Sequence, residues 1–163
     1  MNSPSNTPIR NILLVEDDPR DVELTLAALA EHHLANHVQV LNDGVEALDY
    51  LQHRGKFAGR EGGPPVVILL DLKMPKMNGL ELLAAIKADA VLRLIPVVVL
   101  TSSREEPDLI KSYQLGVNAY VVKPVDFMEF MQAVKTLGVF WAAVNEPPPR
   151  PPQTAPAGEK EGA

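Results

Sequence analysis

The stretch ILLVEDD at residues 12–18 joins four apolar residues to three consecutive acids. The pattern recurs along the chain, with a polar residue directly after each apolar run: VVILL (66–70) before Asp71, VVVL (97–100) before Thr101, and YVV (120–122) before Lys123. Short continuous apolar runs of this kind are typical of parallel strands that are covered on both faces. Because ligands of open α/β sheets bind beyond the carboxyl ends of such strands, we expect these polar residues to meet at one edge.

Segments with helical spacing follow the strand-like segments, of which the second, at 38–41, is the weakest. Residues that favour helix N-termini mark the start of five predicted helices: Asp18, Asp43, Asn78, the segment 103–106 and Asp126. Alternating β and α elements imply right-handed crossovers. The sequence therefore predicts an α/β fold, in which a doubly wound parallel sheet of five strands is flanked by five helices.

Two of the predicted helices carry apolar residues at helical spacing, which we expect to face the core. In the second helix these residues are Val45, Leu48 and Leu51, and in the fifth they are Phe127, Phe130, Met131, Val134 and Leu137. Large apolar residues also lie partly outside the stripe of the fifth helix: Met128, Phe140, Trp141 and Val144. Either the end of this helix folds back onto the core, or it forms a patch that is buried in a partner or a homodimer. We expect a homodimer surface on the fourth helix, fifth strand and fifth helix.

The composition limits the classes of function. The 163-residue chain has a net charge of −6 and no basic cluster, which disfavours binding to nucleic acid. It has no cysteine, which excludes disulfides and thiol catalysis. No apolar stretch approaches the ~20 residues that span a bilayer, and residues 1–10 lack a secretory pattern. We therefore expect a cytoplasmic protein that does not contact the membrane.

The expected organisation is a flexible N-terminus at 1–9, one folded domain at 10–144 and a disordered, proline-rich tail at 145–163. A long polar loop at 52–65 interrupts the domain. Three histidines, at 32, 33 and 37, are expected at the surface and not as a metal cluster, since adjacent helical positions point in different directions.

Three acids at the predicted edge create an electrostatic problem that suggests a function. Glu16, Asp17 and Asp71 would lie within a few ångströms of each other, and each close pair repels by roughly 4 kcal/mol at 4 Å and a dielectric constant of ~20. Mg²⁺ together with Lys123 would neutralise this charge. A carboxylate at a strand end can attack phosphorus to form an acyl phosphate, and Asp71 is the predicted nucleophile because its strand should be central. Lys123 and Thr101 could then bind the phosphoryl oxygens.

Four segments resemble the receiver domain of two-component response regulators, in order and spacing, over about residues 10 to 140: LVEDD at 14–18, DLKMPKMNG at 71–79, LTS at 100–102 and YVVKP at 120–124. The resemblance implies a flavodoxin-like sheet with the strand order 2-1-3-4-5. It also implies transfer of a phosphoryl group from the phosphohistidine of a sensor histidine kinase to Asp71. Such a chain is a phosphoacceptor with at most slow self-dephosphorylation, and not an enzyme with a diffusible substrate.

The resemblance further implies a Mg²⁺ site formed by Asp17, Asp71 and the backbone carbonyl of Lys73, with Glu16 acting through water. The family often has a polar or amide residue where this chain has Lys73. The Lys73 ammonium could pair with the phosphoryl group and slow hydrolysis, or it could point to solvent, and the sequence favours neither.

By the same resemblance, Thr101 and Tyr120 form a switch pair, and the Lys123–Pro124 peptide is cis. The stretch SYQLGVNAY at 112–120, the long loop and the aromatic end of the fifth helix are similar to single-domain regulators that partner phytochrome-type kinases.

Two other functions share parts of this pattern. A Mg²⁺-dependent phosphohydrolase of the haloacid dehalogenase type would form the same aspartyl phosphate, but it requires an acid where this chain has Lys73. A flavodoxin-like binder of flavin or nucleotide would need a glycine-rich first turn, whereas the turn at 16–18 is acidic.

Overall fold

Five parallel strands form one sheet in the order β2-β1-β3-β4-β5, as the resemblance predicted. The computed structural model describes residues 11–149, so the expectations for residues 1–9 and for the tail beyond 149 lie outside the described residues. The strands are β1 (Ile12–Val15), β2 (Val38–Leu41), β3 (Val67–Leu70), β4 (Val97–Thr101) and β5 (Ala119–Val122). Strand β3 is central, as expected.

Five α-helices connect and flank the strands, which confirms the predicted α/β alternation. They are α1 (Pro19–Ala30), α2 (Gly44–Leu51), α3 (Gly79–Ala88), α4 (Glu106–Gln114) and α5 (Phe127–Val139). Helix α5 continues directly into a π-helix, Phe140–Val144. Within residues 11–149, no helix is both long and apolar enough to cross a membrane.

The sheet separates two apolar layers because successive side chains of a strand point to opposite faces. Leu13, Val15, Ile68 and Leu70 belong to the layer that also contains buried residues of α2 and α3. The alternate strand residues, such as those at 12, 14, 67 and 69, belong to the layer that contains buried residues of α1 and α5. Burial on both faces explains why the strands read as continuous apolar runs.

Four of the five predicted helix caps are confirmed. Asp18, Asp43, Asn78 and Asp126 each accept backbone N–H groups from the first turn of their helices. The fourth helix begins differently, since its cap position is Glu105 and no side chain caps it. Ser103 instead accepts the Glu105 N–H at 3.4 Å and donates its hydroxyl to Asp108 Oδ2 at 2.6 Å. It therefore lies two residues before the cap position of the helix.

Two residues that were predicted to face the core are exposed. Val45 is 44% exposed because the buried face of α2 is formed by Ala47, Tyr50 and Leu51. Phe127 is 52% exposed because it lies in the first turn of α5, before the buried residues of that helix begin at Phe130. A stripe drawn from spacing alone gives the period of a helix but not its rotation about its axis.

The Lys123–Pro124 peptide is trans, which corrects the cis bond that the resemblance implied. A trans bond is the isomer that an X–Pro peptide prefers by about 0.5–1 kcal/mol.

Arg60 anchors the long polar loop at 52–65. Its guanidinium lies over the Tyr50 ring, 4.0 Å from the centroid, and its Nε donates to the Tyr50 carbonyl at 3.1 Å. The other guanidinium nitrogens contact the Gly63 carbonyl and the His53 ring. The loop also contains a short 3-10 helix, Gly55–Phe57. Although the sequence shows no periodicity here, the loop is fixed to α2 by Arg60 and by the edge of the Phe57 ring against Tyr50.

Gly79, the first residue of α3, packs against the backbone that follows β3. A Cβ at this position would clash with the Asp71 carbonyl oxygen and would lie 2.6 Å from Leu72 Cα. Neither is a flexible side-chain end, so the backbone itself would have to shift.

We therefore expect Gly79→Ala to lower the free energy of unfolding by about 2–3 kcal/mol, the range of an overpacked core. Gly59→Ala is the matched control, because nothing lies within 4 Å of a Cβ built there. Urea denaturation of both variants measures the difference. Equal stabilities would show that the turn after β3 adapts easily.

Candidate functional site

The residues that follow β1, β3 and β5 are held at one edge of the sheet by backbone hydrogen bonds that continue the strand pairing. The Asp71 N–H donates to the Val15 carbonyl at 3.0 Å, and the Lys123 N–H donates to the Thr101 carbonyl at 2.7 Å. The Glu16 N–H donates to the carbonyl of Leu41, the last residue of β2, at 3.0 Å. The backbone of each functional residue is thus fixed by the neighbouring strand, and the predicted convergence is observed.

Three carboxylates meet at this edge. One oxygen from each of Glu16, Asp17 and Asp71 lies within 4.8 Å of the others, which is the only such cluster of potential metal ligands among residues 11–149. Glu16 and Asp71 are 3% and 7% exposed, whereas Asp17 is open to solvent. Oxygen donors of this kind suit a hard divalent cation, which could enter from the side of Asp17.

Lys123 reaches this cluster from β5 with a side chain that is 8% exposed. Its Nζ lies 2.6 Å from Glu16 Oε2 and 3.5 Å from Asp71 Oδ2. Asp21 on α1 lies outside this cluster, and its carboxylate accepts a hydrogen bond from the same nitrogen at 2.7 Å. Asp21 is not among the site residues that were predicted from the sequence. Its position in the first turn after the Asp18 cap, at the functional edge, was the available signal.

The charges in this cluster change the pKa of both partners of the buried pair. Burial raises the pKa of Glu16 to about 7, and the Asp71 carboxylate adds to the rise while the Lys123 ammonium opposes it. Burial by itself would lower the pKa of Lys123, but hydrogen bonds to Asp21 and Glu16 outweigh it and raise the pKa. Lys123 therefore remains charged, whereas burial makes Glu16 easier to protonate than an exposed glutamate.

Thr101 and Tyr120 are linked through Ser103. The Thr101 hydroxyl is fully buried and accepts the Ser103 N–H at 3.3 Å. The Tyr120 hydroxyl donates to the Ser103 carbonyl at 3.0 Å, and burial raises the pKa of Tyr120. The resemblance predicts a pair of Thr101 and Tyr120, but the sequence does not indicate Ser103 as their common contact, because its role depends on backbone atoms that any residue carries.

Lys73 contacts the site through its backbone. Its N–H donates to Asp71 Oδ1 at 3.3 Å, and its side chain is exposed. The neighbouring Leu72 carbonyl accepts the Gly79 N–H at 3.0 Å, which closes the turn between β3 and α3. His32 and His33 are exposed and lie outside the carboxylate cluster.

Comparison with known sequences identifies relatives over most of the chain. The profile of the response regulator receiver domain matches residues 12–135. Response regulator Rcp1 of Synechocystis sp. strain PCC 6803 is 41% identical over 142 residues, which cover 86% of this chain and 94% of Rcp1. The probable methanogenesis regulatory protein FilR2 of Methanothrix harundinacea is 40% identical over 138 residues, which cover 84% of this chain and 86% of FilR2.

Solved structures show the same fold. The phosphorylated cyanobacterial phytochrome response regulator RcpA has a TM-score of 0.80 at 41% identity, covering 86% of this chain and 99% of RcpA. The Mn²⁺-bound form of Rcp1 has a TM-score of 0.80 at 38% identity, with the same coverage. The bacteriophytochrome response regulator AtBRR is 62% identical, with a TM-score of 0.67, and its alignment covers 85% of this chain and 99% of AtBRR.

The buried ammonium gives a stability prediction. In Lys123→Met, Glu16 and Asp71 lose the positive charge between them, so the free energy of unfolding at pH 8 should fall by about 3–5 kcal/mol. The loss should shrink as the pH is lowered, because burial raises the pKa of Glu16, removal of the Lys123 ammonium raises it further, and protonation of Glu16 removes the repulsion. Mg²⁺ should also reduce the loss. Urea titrations at pH 6 and pH 8, with and without Mg²⁺, measure these effects.

The control is Lys135→Met, which removes a lysine from the more exposed pair between Lys135 and Glu31. It should change stability much less and without dependence on Mg²⁺. A Lys123→Met protein as stable as the wild type at pH 8 would contradict this account of the buried charges.

Proposed function

The chain belongs to the response regulator receiver domain family, and we propose on this basis that it accepts a phosphoryl group on Asp71 from a sensor histidine kinase. A receiver domain of a two-component system implies such a kinase as its partner. The observation that carries the proposal is the meeting of Asp71 with Lys123 at 3.5 Å inside the three-carboxylate cluster. We regard the chain as a phosphoacceptor and not as an enzyme with a diffusible substrate.

We assign the divalent cation as Mg²⁺, held by Asp17, Asp71 and the Lys73 carbonyl, with Glu16 acting through water. The donor set fits, because Mg²⁺ is bound through one or two carboxylates, further oxygens and the phosphoryl group. When bound, the cation supplies positive charge to the transferring phosphoryl group. The acidic cluster and the Mn²⁺-bound form of a similar regulator support this assignment.

The remaining chemistry belongs to the side chains of the chain. A carboxylate oxygen of Asp71 attacks phosphorus, the P–N bond of the kinase phosphohistidine breaks, and the imidazole leaves and takes up a proton. The Lys123 ammonium donates to a phosphoryl oxygen and stabilises its charge, and the Thr101 hydroxyl donates to another. The backbone N–H of Lys73 orients the Asp71 carboxylate by donating to Oδ1 at 3.3 Å.

Phosphorylation would act as a switch because the charge on Asp71 becomes more negative, from about −1 to about −2. Thr101 then turns its hydroxyl to the phosphoryl group and gives up its contact with the Ser103 N–H. Since Tyr120 contacts the carbonyl of the same Ser103, the change reaches the start of α4. The surface formed by α4, β5 and α5 is therefore the proposed output.

We further propose that the kinase is of the phytochrome type. The similar proteins RcpA and AtBRR are described as phytochrome and bacteriophytochrome response regulators, and AtBRR shares 62% of its aligned residues with this chain.

We also propose a homodimer, which is supported by exposed apolar residues on α4 and at the end of α5: Leu109, Ile110, Tyr113, Phe140 and Val144. Exposed large apolar side chains in these two places are candidates for burial in a partner.

Incubation with Mg²⁺ and acetyl phosphate tests the phosphoacceptor. Intact mass spectrometry should show the wild-type protein gain the mass of one phosphoryl group, and Asp71→Asn should show no gain, because an amide cannot form the acyl phosphate. The gain should disappear when a chelator removes the metal.

A matched pair of variants tests the metal site in the same assay. Asp17→Asn should weaken Mg²⁺ binding by about tenfold or more, because one ligand charge is lost. Asp18→Asn removes an equal charge from the next residue but retains a side chain that caps α1, so Mg²⁺ binding should change little. A mass gain in Asp71→Asn would refute the assignment of Asp71 as the phosphoacceptor. Equal Mg²⁺ affinities of Asp17→Asn and Asp18→Asn would refute the assignment of the metal site.

Light scattering tests the homodimer. The wild-type protein should be dimeric at high micromolar concentration, and Phe140→Ser should shift it toward the monomer. Val91→Ser removes a comparably exposed apolar side chain between α3 and β4 and should leave the dimer intact. A monomeric wild type, phosphorylated or not, would end the dimer proposal.

A further inference from the structure

Asp21 is a carboxylate that contacts Lys123 but has no part in the metal cluster or in the phosphoryl transfer described above. It lies in the first turn of α1, and its Oδ2 is 2.7 Å from Lys123 Nζ. The distance from the same nitrogen to Asp71 Oδ2 is 3.5 Å. Lys123 is therefore held more closely by a residue of α1 than by the proposed phosphoacceptor.

An ammonium group has three N–H donors and no acceptor. In this structure two of them make short hydrogen bonds, to Glu16 at 2.6 Å and to Asp21 at 2.7 Å. The contact with Asp71 is at the outer limit for a hydrogen bond. The third N–H is available for a phosphoryl group on Asp71, but the nitrogen is still 3.5 Å from the Asp71 carboxylate. A close hydrogen bond to that group therefore requires the nitrogen to move toward Asp71, which stretches one of the two short hydrogen bonds.

The two partners differ in what they lose on release. The Glu16 side chain is 4% exposed, and a carboxylate there would be left buried without its counter-charge. The Asp21 side chain is 26% exposed, so water can replace the ammonium as its hydrogen-bond donor. The contact between Asp21 and Lys123 is thus the one that breaks at the lower cost.

We propose that Asp21 is a positioning residue, which holds the Lys123 ammonium on the α1 side of the edge and releases it when Asp71 carries a phosphoryl group. This inference rests on the proposed function of Asp71. The pair restrains phosphorylation, because the contact that is lost with Asp21 opposes the contact that Lys123 gains with the phosphoryl oxygens. When the Asp21 charge is removed, the Lys123 ammonium should reach the phosphoryl oxygens without first losing this contact.

The test is the initial rate of phosphorylation by acetyl phosphate at saturating Mg²⁺ in the full chain. The Asp71 oxygen attacks phosphorus, the bond from phosphorus to the acetate oxygen breaks, and acetate leaves. Asp21→Asn should react about fivefold faster than the wild type, the factor of one partly exposed ion pair. Asp21→Glu retains the charge and should restore a rate near that of the wild type.

Asp18→Asn is the control for general electrostatics, because it removes one negative charge from the same turn without a contact to Lys123. It should react like the wild type. If Asp18→Asn is accelerated as much as Asp21→Asn, the effect comes from net charge, and the positioning role is refuted. A rate for Asp21→Asn equal to or below that of the wild type also refutes it.

Heteronuclear NMR of the Lys123 ammonium gives a readout that does not depend on turnover. In the wild type its resonance should move when beryllofluoride binds as a phosphoryl mimic, and in Asp21→Asn it should already be displaced without the mimic. An unchanged resonance in Asp21→Asn overturns the inference. If the wild type itself is never phosphorylated, the proposed function fails and this inference falls with it. If the wild type is phosphorylated but Asp21→Asn reacts no faster, only the inference about Asp21 is refuted.

Discussion

Lys123 carries a positive charge into a site that contains two buried acids, Glu16 and Asp71, at the ends of β1 and β3. Its side chain is 8% exposed, and it lies within 3.5 Å of carboxylate oxygens from β1, β3 and α1. Without this ammonium, Glu16 and Asp71 would be two buried negative charges with no compensation other than protons or a cation. The same residues that make the edge reactive therefore make its folding depend on charge balance. The raised pKa of Glu16 is a direct expression of that dependence.

The fold and the main site residues could be predicted because both depend on short-range patterns. A continuous apolar run predicts a strand that is buried on both faces, and the carboxyl end of that strand predicts where the next polar residue lies. This logic predicts that Glu16, Asp71 and Lys123 lie together at one edge of the sheet. The strand order needed more than the pattern, since alternation of β and α elements allows several orders. It was correctly taken from the resemblance to receiver domains.

The features that could not be predicted depend on rotation and on backbone atoms. Val45 and Phe127 have the right spacing for a core stripe, but the rotation of α2 and the early position of Phe127 in α5 leave them exposed. Ser103 connects Thr101 to Tyr120 through its N–H and carbonyl groups, which leave no signature in a sequence. Asp21 was visible only as a helical acid, and its contact with Lys123 spans 102 positions of the chain. Long-range side-chain pairs of this kind require the three-dimensional arrangement.

The anchored loop at 52–65 has a consequence for digestion by trypsin-like proteases. A polar, glycine-rich segment with basic residues is ordinarily an early cleavage site, because a protease must draw the chain into an extended form within its cleft. Arg60, however, is engaged at once by the Tyr50 ring, two carbonyl groups and the His53 ring. To present this arginine to a specificity pocket, the loop would have to give up all of these contacts together. The peptide bond after Arg60 should therefore outlast the bond after Arg54, whose 56%-exposed side chain pairs with Asp49 at 3.6 Å.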